Sequence, residues 1–288
     1  MPGRRSSRLL AIPAFFAVAC WLAPPSRAQS GADCQNILPL ESSSFYVGAE
    51  VASAYLGSSG SIYDTRPVFS QEAGWMFDFG EYGWIDGYFW IVSALHDKQH
   101  ESHRMLFNEI ETAIFYGQSW QLAEKTRFVA KVGPLWGPAI GYDNAHKNSW
   151  GPYVSLSLNN PVVVPYMSGL WIVSPKRRGR IRFGLRKTFA ISDKVSLTPM
   201  AETVWMDRRR FDSRYGSEPE KAVFGGSFAT VTTGAKVTWQ VTDSCQVYFR
   251  LLMFDIINSQ ARRAVRNQNS YYAKCDWPVL RLGVEYAF

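Results

Sequence analysis

What this sequence lacks narrows it first. Beyond its first thirty residues there is no run of ~18 consecutive apolar side chains, the length a membrane-crossing helix needs. It contains no Gly-x-Ser-x-Gly elbow, no His-Glu-x-x-His pair and no glycine loop that would cradle a phosphate. Hydrolase, zinc-protease and nucleotide chemistry therefore find no motif to stand on, and no cofactor is implied. Charge of one sign is also scarce. The formal net charge is +7, but Arg4, Arg5, Arg8 and Arg27 belong to an acid-free leader, leaving +3 for the rest, which gives no case for nucleic-acid binding.

The leader, residues 1–28, reads as a secretory signal. Arg4, Arg5 and Arg8 supply the positive start and Leu9 to Leu22 an apolar core. Pro24 and Pro25 close that core, and Ser26-Arg27-Ala28 offers a small-x-small cleavage site. Of the four cysteines, Cys34, Cys245 and Cys275 lie beyond the leader. Export permits disulfides, and an odd count leaves one thiol over.

What is abundant is aromatic: 15% of residues, with 11 Trp and 14 Tyr, at a mean hydropathy of only −0.15. At the chain's end Leu280, Leu282, Val284, Tyr286 and Phe288 alternate with Arg281, Gly283, Glu285 and Ala287. In a strand this separates an oily face from a polar or small one. Upstream, four windows repeat one plan: Phe77–Ile85, Trp120–Phe128, Phe189–Leu197 and Trp239–Val247. Each opens aromatic-x-apolar, carries an acid at its fifth place (Glu81, Glu124, Asp193, Asp243) and returns to an apolar residue at its ninth. Small and acidic residues suit a tight reversal between two strands. Asn159-Asn160-Pro161 marks a fifth reversal, and the connections between these hairpins are longer and polar.

Short turns alternating with long loops are the mark of a transmembrane β-barrel, with short turns periplasmic and long loops outside. The expectation is an all-β, antiparallel barrel over residues 44–288, preceded by a periplasmic tail at 29–43. It would have about 12 strands, with 10 or 14 if one hairpin is misjudged. Expected strands are 44–56, 67–79, 84–95, 105–119, 126–137, 150–158, 162–173, 180–190, 194–206, 227–240, 245–257 and 278–288. Phe77, Trp120, Phe189, Trp239 and Phe288 would form an aromatic girdle at one membrane interface.

The terminal strand ending in Phe288 resembles that of bacterial outer-membrane β-barrels, and the architecture over Ser44 to Phe288 is most similar to small porins of the TorF and MipA groups. The resemblance implies insertion by the barrel-assembly machinery, contact with outer-membrane lipid and lipopolysaccharide, and passive passage of small solutes. The alternatives are a closed-lumen surface barrel with a binding or structural role and, third, a lipid-modifying enzyme.

With the oily parity facing lipid, polar side chains point inward, since Arg or Lys on the lipid face costs ~2–4 kcal/mol near the midplane. That sends Glu50, Glu72, Asp78, Asp86, Glu109 and Glu111 inward from the first four strands. It sends Arg127, Lys131, Arg180, Arg182, Arg186, Lys236, Arg250 and Arg281 inward from later ones, with Glu202 and Glu285 as acidic exceptions. The asymmetry suits a water-filled lumen with a field across it, or a lumen filled by ion pairs.

Four further features carry candidate chemistry. His96, His100 and His103 share a polar loop that nothing constrains as a metal site. In outer-membrane phospholipases a His and a Ser lie two residues apart on one strand face. Here Asn148 stands two residues after His146, and Ser149 falls on the opposite face, so no nucleophile–base pair forms. Lys176–Arg180 and Asp207–Phe211 are basic outer segments suited to lipopolysaccharide phosphates, to drawing anions to the mouth, or simply to solubility. Cys34 and Cys245 would both be periplasmic, so a disulfide between them is open, with Cys275 the external odd thiol.

Overall fold

The computed structural model describes residues 44–57, 61–95, 107–137, 149–174, 177–216, 223–267 and 275–288, with backbone alone at 57, 61–64, 107–109 and 267. The leader, the tail with Cys34, and the segments holding His96, His100, His103, His146 and Asn148 lie outside the described residues.

The strands in chain order are β1 (Ser44–Ala52), β2 (Tyr55–Gly57), β3 (Ser61–Asp64), β4 (Val68–Asp78), β5 (Trp84–Ala94), β6 (Phe107–Ala123), β7 (Thr126–Gly137) and β8 (Ser149–Asn159). They continue with β9 (Val164–Ile172), β10 (Arg178–Arg186), β11 (Phe189–Ala190), β12 (Val195–Asp207), β13 (Gly226–Gln240), β14 (Cys245–Ile256) and β15 (Asp276–Ala287). Twelve of them form one closed antiparallel barrel. β2 and β3 make a separate hairpin in the first long loop, and β11 is a two-residue extension paired to β12. The eighth expected strand, 180–190, is thus broken after Arg186. The barrel closes where β1 meets β15, from Tyr46 opposite Ala287 to Ala52 opposite Arg281. Phe288 adds a last hydrogen bond, its N–H donating to Phe45 O at 2.8 Å.

The short turns explain their repeated sequence. Ser192 and Thr242 occupy equivalent places, and their hydroxyls accept from the N–H of Val195 and Cys245 at 3.1 Å each. Asp193 and Asp243 follow at the apex. A short polar side chain that bonds its own backbone is what a tight reversal selects. Asn160 does the same work in the fifth turn, where Oδ1 accepts from Val162 N at 2.9 Å and Val163 N at 3.0 Å.

On the outer face Val51, Phe89, Ile114, Val132, Leu185, Leu251 and Leu282 are exposed, as a lipid-facing band requires. Phe77, Trp120, Phe189 and Trp239 are exposed beside the short turns, while Phe288 is half-buried against Tyr286. Trp136 and Trp150, direct cross-strand partners, are exposed near the long-loop end with Trp171. Phe228 and Trp239 both face outward on β13, ~36 Å apart along the strand at ~3.3 Å per residue. Tilted by ~40°, that strand spans ~27 Å of height, close to the ~25 Å apolar band of such barrels.

The inward parity is not polar throughout. At the long-loop end Val204, Met206, Leu252, Phe254, Ile256 and Val279 point inward and form an apolar cluster. Two loop helices complete it: α1 (Arg208–Tyr215) with Phe211 and Tyr215, and α2 (Ser259–Asn267) with Ala261 and Val265. A parity rule that sends polar side chains inward has no purchase here, because both faces of Leu251–Phe254 are apolar. That end of the interior is packed like an ordinary protein core.

Candidate functional site: a polarised cavity inside the barrel

Below the apolar cluster the barrel interior holds a polar cavity. Leu56, Met200 and Leu252 border it above, and five carboxylates and four arginines line its wall: Glu50, Glu72, Glu111, Glu202 and Glu285 with Arg180, Arg182, Arg250 and Arg281.

Four tyrosines organise these charges, and each stands in register with a small residue on the next strand. The pairs are Tyr46 with Gly74, Tyr88 with Ala113, Tyr166 with Gly184 and Tyr248 with Gly283. At the three glycines the ring lies where a Cβ would stand, so only glycine leaves it room. Two positions before each small residue comes a charge: Glu72, Glu111, Arg182 and Arg281.

That shared plan has two versions. On the β1–β4–β5–β6 side the phenol donates to the carboxylate of the adjoining strand: Tyr46 to Glu72 at 2.6 Å, and Tyr88 to Glu111. Elsewhere an arginine holds that place, and the phenol reaches a glutamate one strand further on. Tyr166 donates to Glu202 at 2.7 Å across β10, and Tyr248 to Glu50 at 2.9 Å across β15. In each case the middle strand's arginine pairs with the same carboxylate, Arg182 with Glu202 at 3.8 Å and Arg281 with Glu50 at 3.1 Å. Cations also stack on these tyrosines: Arg186 lies 5.5 Å from the Tyr166 ring, Lys236 4.5 Å and Arg250 5.7 Å from Tyr248. Lys236, Arg250 and Arg281 stand side by side in register across β13, β14 and β15. Such a row of like charges needs the neighbouring Glu50 and Glu285 and the stacked ring.

Several sequence-derived candidates sit apart from this arrangement. Asp86 and Lys131 pair with each other in the wall, with Trp84 Nε1 donating to Asp86 at 3.0 Å and Lys131 set between the Trp84 and Phe115 rings. Lys131 therefore neutralises an acid on the acidic side instead of adding to the basic one, because β7 pairs with β6 and lies only one strand beyond β5, which carries Asp86. Asp78 accepts from Gly80 N at 2.8 Å in a turn, and Arg127 bonds Gln121 at 3.3 Å on the exposed rim. Both have inward parity but stand too near the strand ends to border the cavity. Glu109 has only its backbone described. The tyrosines were not legible as site residues. Their signal would have been an inward-parity Tyr matched to an inward-parity Gly on the next strand.

Of the remaining candidates, Ser149 Oγ donates to Gly137 O at 3.1 Å. Cys245 opens β14, and Cys275 Sγ lies 3.6 Å from Arg262 O at the outer end of β15. Among the described residues no group of three or more His, Cys, Asp or Glu is placed to hold a metal ion.

No protein-family model matches the sequence, and no curated protein matches it. Among solved structures, the COG4313 outer membrane channel from Pseudomonas putida F1 is similar with a TM-score of 0.54 at 12% identity, over 91% of this chain and 100% of that one. At that identity the likeness is one of fold: a complete outer-membrane β-barrel. The NanC porin (TM-score 0.49, 11% identity, 84% of this chain and 98% of that one) and the KdgM porin (0.44, 11%, 85% and 99%) are looser matches that carry no further argument.

Proposed function

We propose that this chain is an outer-membrane channel through which small polar or charged solutes diffuse passively. One observation supports it above others: a closed transmembrane barrel encloses a cavity walled by glutamates on one side and mostly by arginines on the other. A wall so divided sets up a transverse field that orients a charged solute as it passes. On this reading Glu72 and Glu111 form one pole, and Arg180, Arg182, Arg250 and Arg281 the other. The name of the P. putida protein, an outer membrane channel, agrees with it.

The finer parts of the reading rest on sequence. They are a cleaved leader at 1–28, a periplasmic tail, assembly through the terminal Phe288 strand, contact with outer-membrane lipid, and kinship with small porins of the TorF and MipA kind.

A second reading, a closed surface barrel, is favoured by the apolar cluster that α1 and α2 build at the long-loop end. Planar-bilayer recording of the refolded chain separates the two. Discrete conductance steps are expected. Silence, both from the whole chain and from a variant with α1 and α2 replaced by short polar loops, would overturn the channel.

A further inference from the structure

The charged features of the barrel do not all face the cavity. Where β9 ends, β10 begins and α1 begins, three arginines are exposed together at the outer rim: Arg177, Arg208 and Arg209. One carboxylate brings them there. Asp207 caps α1, its Oδ1 accepting from Arg210 N at 2.6 Å, while its Oδ2 accepts from Gly179 N. The helix start is thereby tied to the start of β10. The helix's rotation is fixed as well, because Phe211 and Tyr215 are fully buried in the apolar cluster of the mouth. Arg208, Arg209 and Asp212 are left on its outer side.

These side chains surround an open depression bordered by Trp171, Ile172, Val173 and Gly225. Arg177, Arg178, Arg208 and Arg209 outnumber Asp207 and Asp212 there, and the helix N-terminus adds positive potential. Trp171 is lipid-facing, its indole Nε1 lying over Gly179. Phe183 and Phe228, also outward and 6.1 Å apart between ring centroids, continue the aromatic surface below. A cationic depression directly above an interfacial aromatic band lies at headgroup height in the outer leaflet.

We propose that this depression binds the phosphorylated headgroup of an outer-leaflet lipid, with phosphate oxygens on Arg177, Arg208 and Arg209 and acyl chains against Trp171 and Phe228. Guanidinium groups match phosphate geometry with paired N–H donors. Free solute anions would find the same cations but gain nothing from the aromatic surface. The proposal rests on the chain being an outer-membrane barrel and is independent of whether the lumen conducts.

The test is thermal unfolding of the whole refolded protein in detergent micelles, titrated with bis-phosphorylated lipid A, with enzymatically dephosphorylated lipid A, or with inorganic phosphate. The phosphorylated lipid should raise Tm in a saturable way, as ligand linkage requires. The Arg208→Gln/Arg209→Gln double variant should weaken that binding at least tenfold while its barrel remains heat-resistant on gels. Asp212→Asn, which removes an acid from the depression, should tighten it several-fold. An equal Tm rise with dephosphorylated lipid would overturn the proposal in favour of acyl adsorption. An equal rise with inorganic phosphate would reduce the site to one for free anions. Unchanged binding in both variants would place the lipid elsewhere.

Discussion

The two sectors of the cavity wall use one construction and reach opposite electrostatic results. In both, a tyrosine lies across a small residue on the next strand and its phenol ends on a glutamate. In the acidic sector that glutamate, Glu72 or Glu111, occupies the place beside the small residue. In the basic sector an arginine has taken that place, and the glutamate has moved one strand on, so that phenol, carboxylate and guanidinium meet. The tyrosine–glycine joint is therefore the constant, and the charge beside it is the variable. A barrel can change the sign of a wall without changing how its strands fit.

The largest difference between the sectors should appear when an ion pair is broken. Arg281→Gln leaves Glu50 in the lumen with Tyr248 as its hydrogen-bond donor; breaking a fully buried pair costs ~3–5 kcal/mol, and this part-buried one should lose less, about 1.5–3 kcal/mol. Glu72→Gln keeps an acceptor for Tyr46 and should cost less than ~1 kcal/mol. Urea unfolding of the barrel in phospholipid vesicles measures both. Equal losses would mean that the arginines of the basic sector contribute little beyond the phenol bonds.

The joint itself comes next. Gly184→Ala and Gly283→Ala each push a Cβ into the ring of Tyr166 or Tyr248, and overpacking of this kind costs ~1–3 kcal/mol. Gly74→Ala, under Tyr46, should cost a similar amount, since the same close approach exists there. The sectors should thus differ in the first experiment and agree in this one.

These contrasts also mark what the sequence could and could not tell. Strand positions were legible because alternation and turn chemistry are local. Ser192, Thr242 and Asn160 sit where short reversals need a side-chain oxygen, and the strands on either side follow from them. Inward parity was legible for Glu50, Arg182 or Arg281, since each lies on a strand with one oily face. It was not legible where both faces are oily, as in Leu251–Phe254, nor where a loop returns, as α1 and α2 do. Partnership across strands was the least visible. Asp86 and Lys131 are 45 residues apart. Nothing local announces that they cancel, nor that Tyr248 would meet Glu50 at a separation of 198.

Selectivity gives a smaller but more functional contrast. If the lumen conducts, Arg182→Gln should move the reversal potential in a salt gradient toward cation preference, and Glu111→Gln toward anion preference. The shifts should be opposite in sign and larger at 0.1 M than at 1 M salt, because screening shortens the reach of each charge. Shifts of the same sign would show that the two sectors do not form two poles.

The smallest effect should reverse the order of the first. Tyr166→Phe removes a phenol from Glu202, but Arg182 remains 3.8 Å from that carboxylate. Tyr88→Phe removes the phenol that donates to Glu111, a buried carboxylate on a strand where no arginine takes the equivalent place. A buried acceptor stripped of its donor costs ~1–3 kcal/mol, whereas one that keeps a charged partner loses less, on the order of ~0.5–1 kcal/mol. Tyr88→Phe should therefore destabilise the barrel more than Tyr166→Phe, although breaking the ion pair hurts the basic sector more. That crossing of the two orders separates a wall held by phenols from one held by guanidinium groups. If Tyr166→Phe proved the costlier variant, the arginine would be a neighbour of the carboxylate and not its anchor.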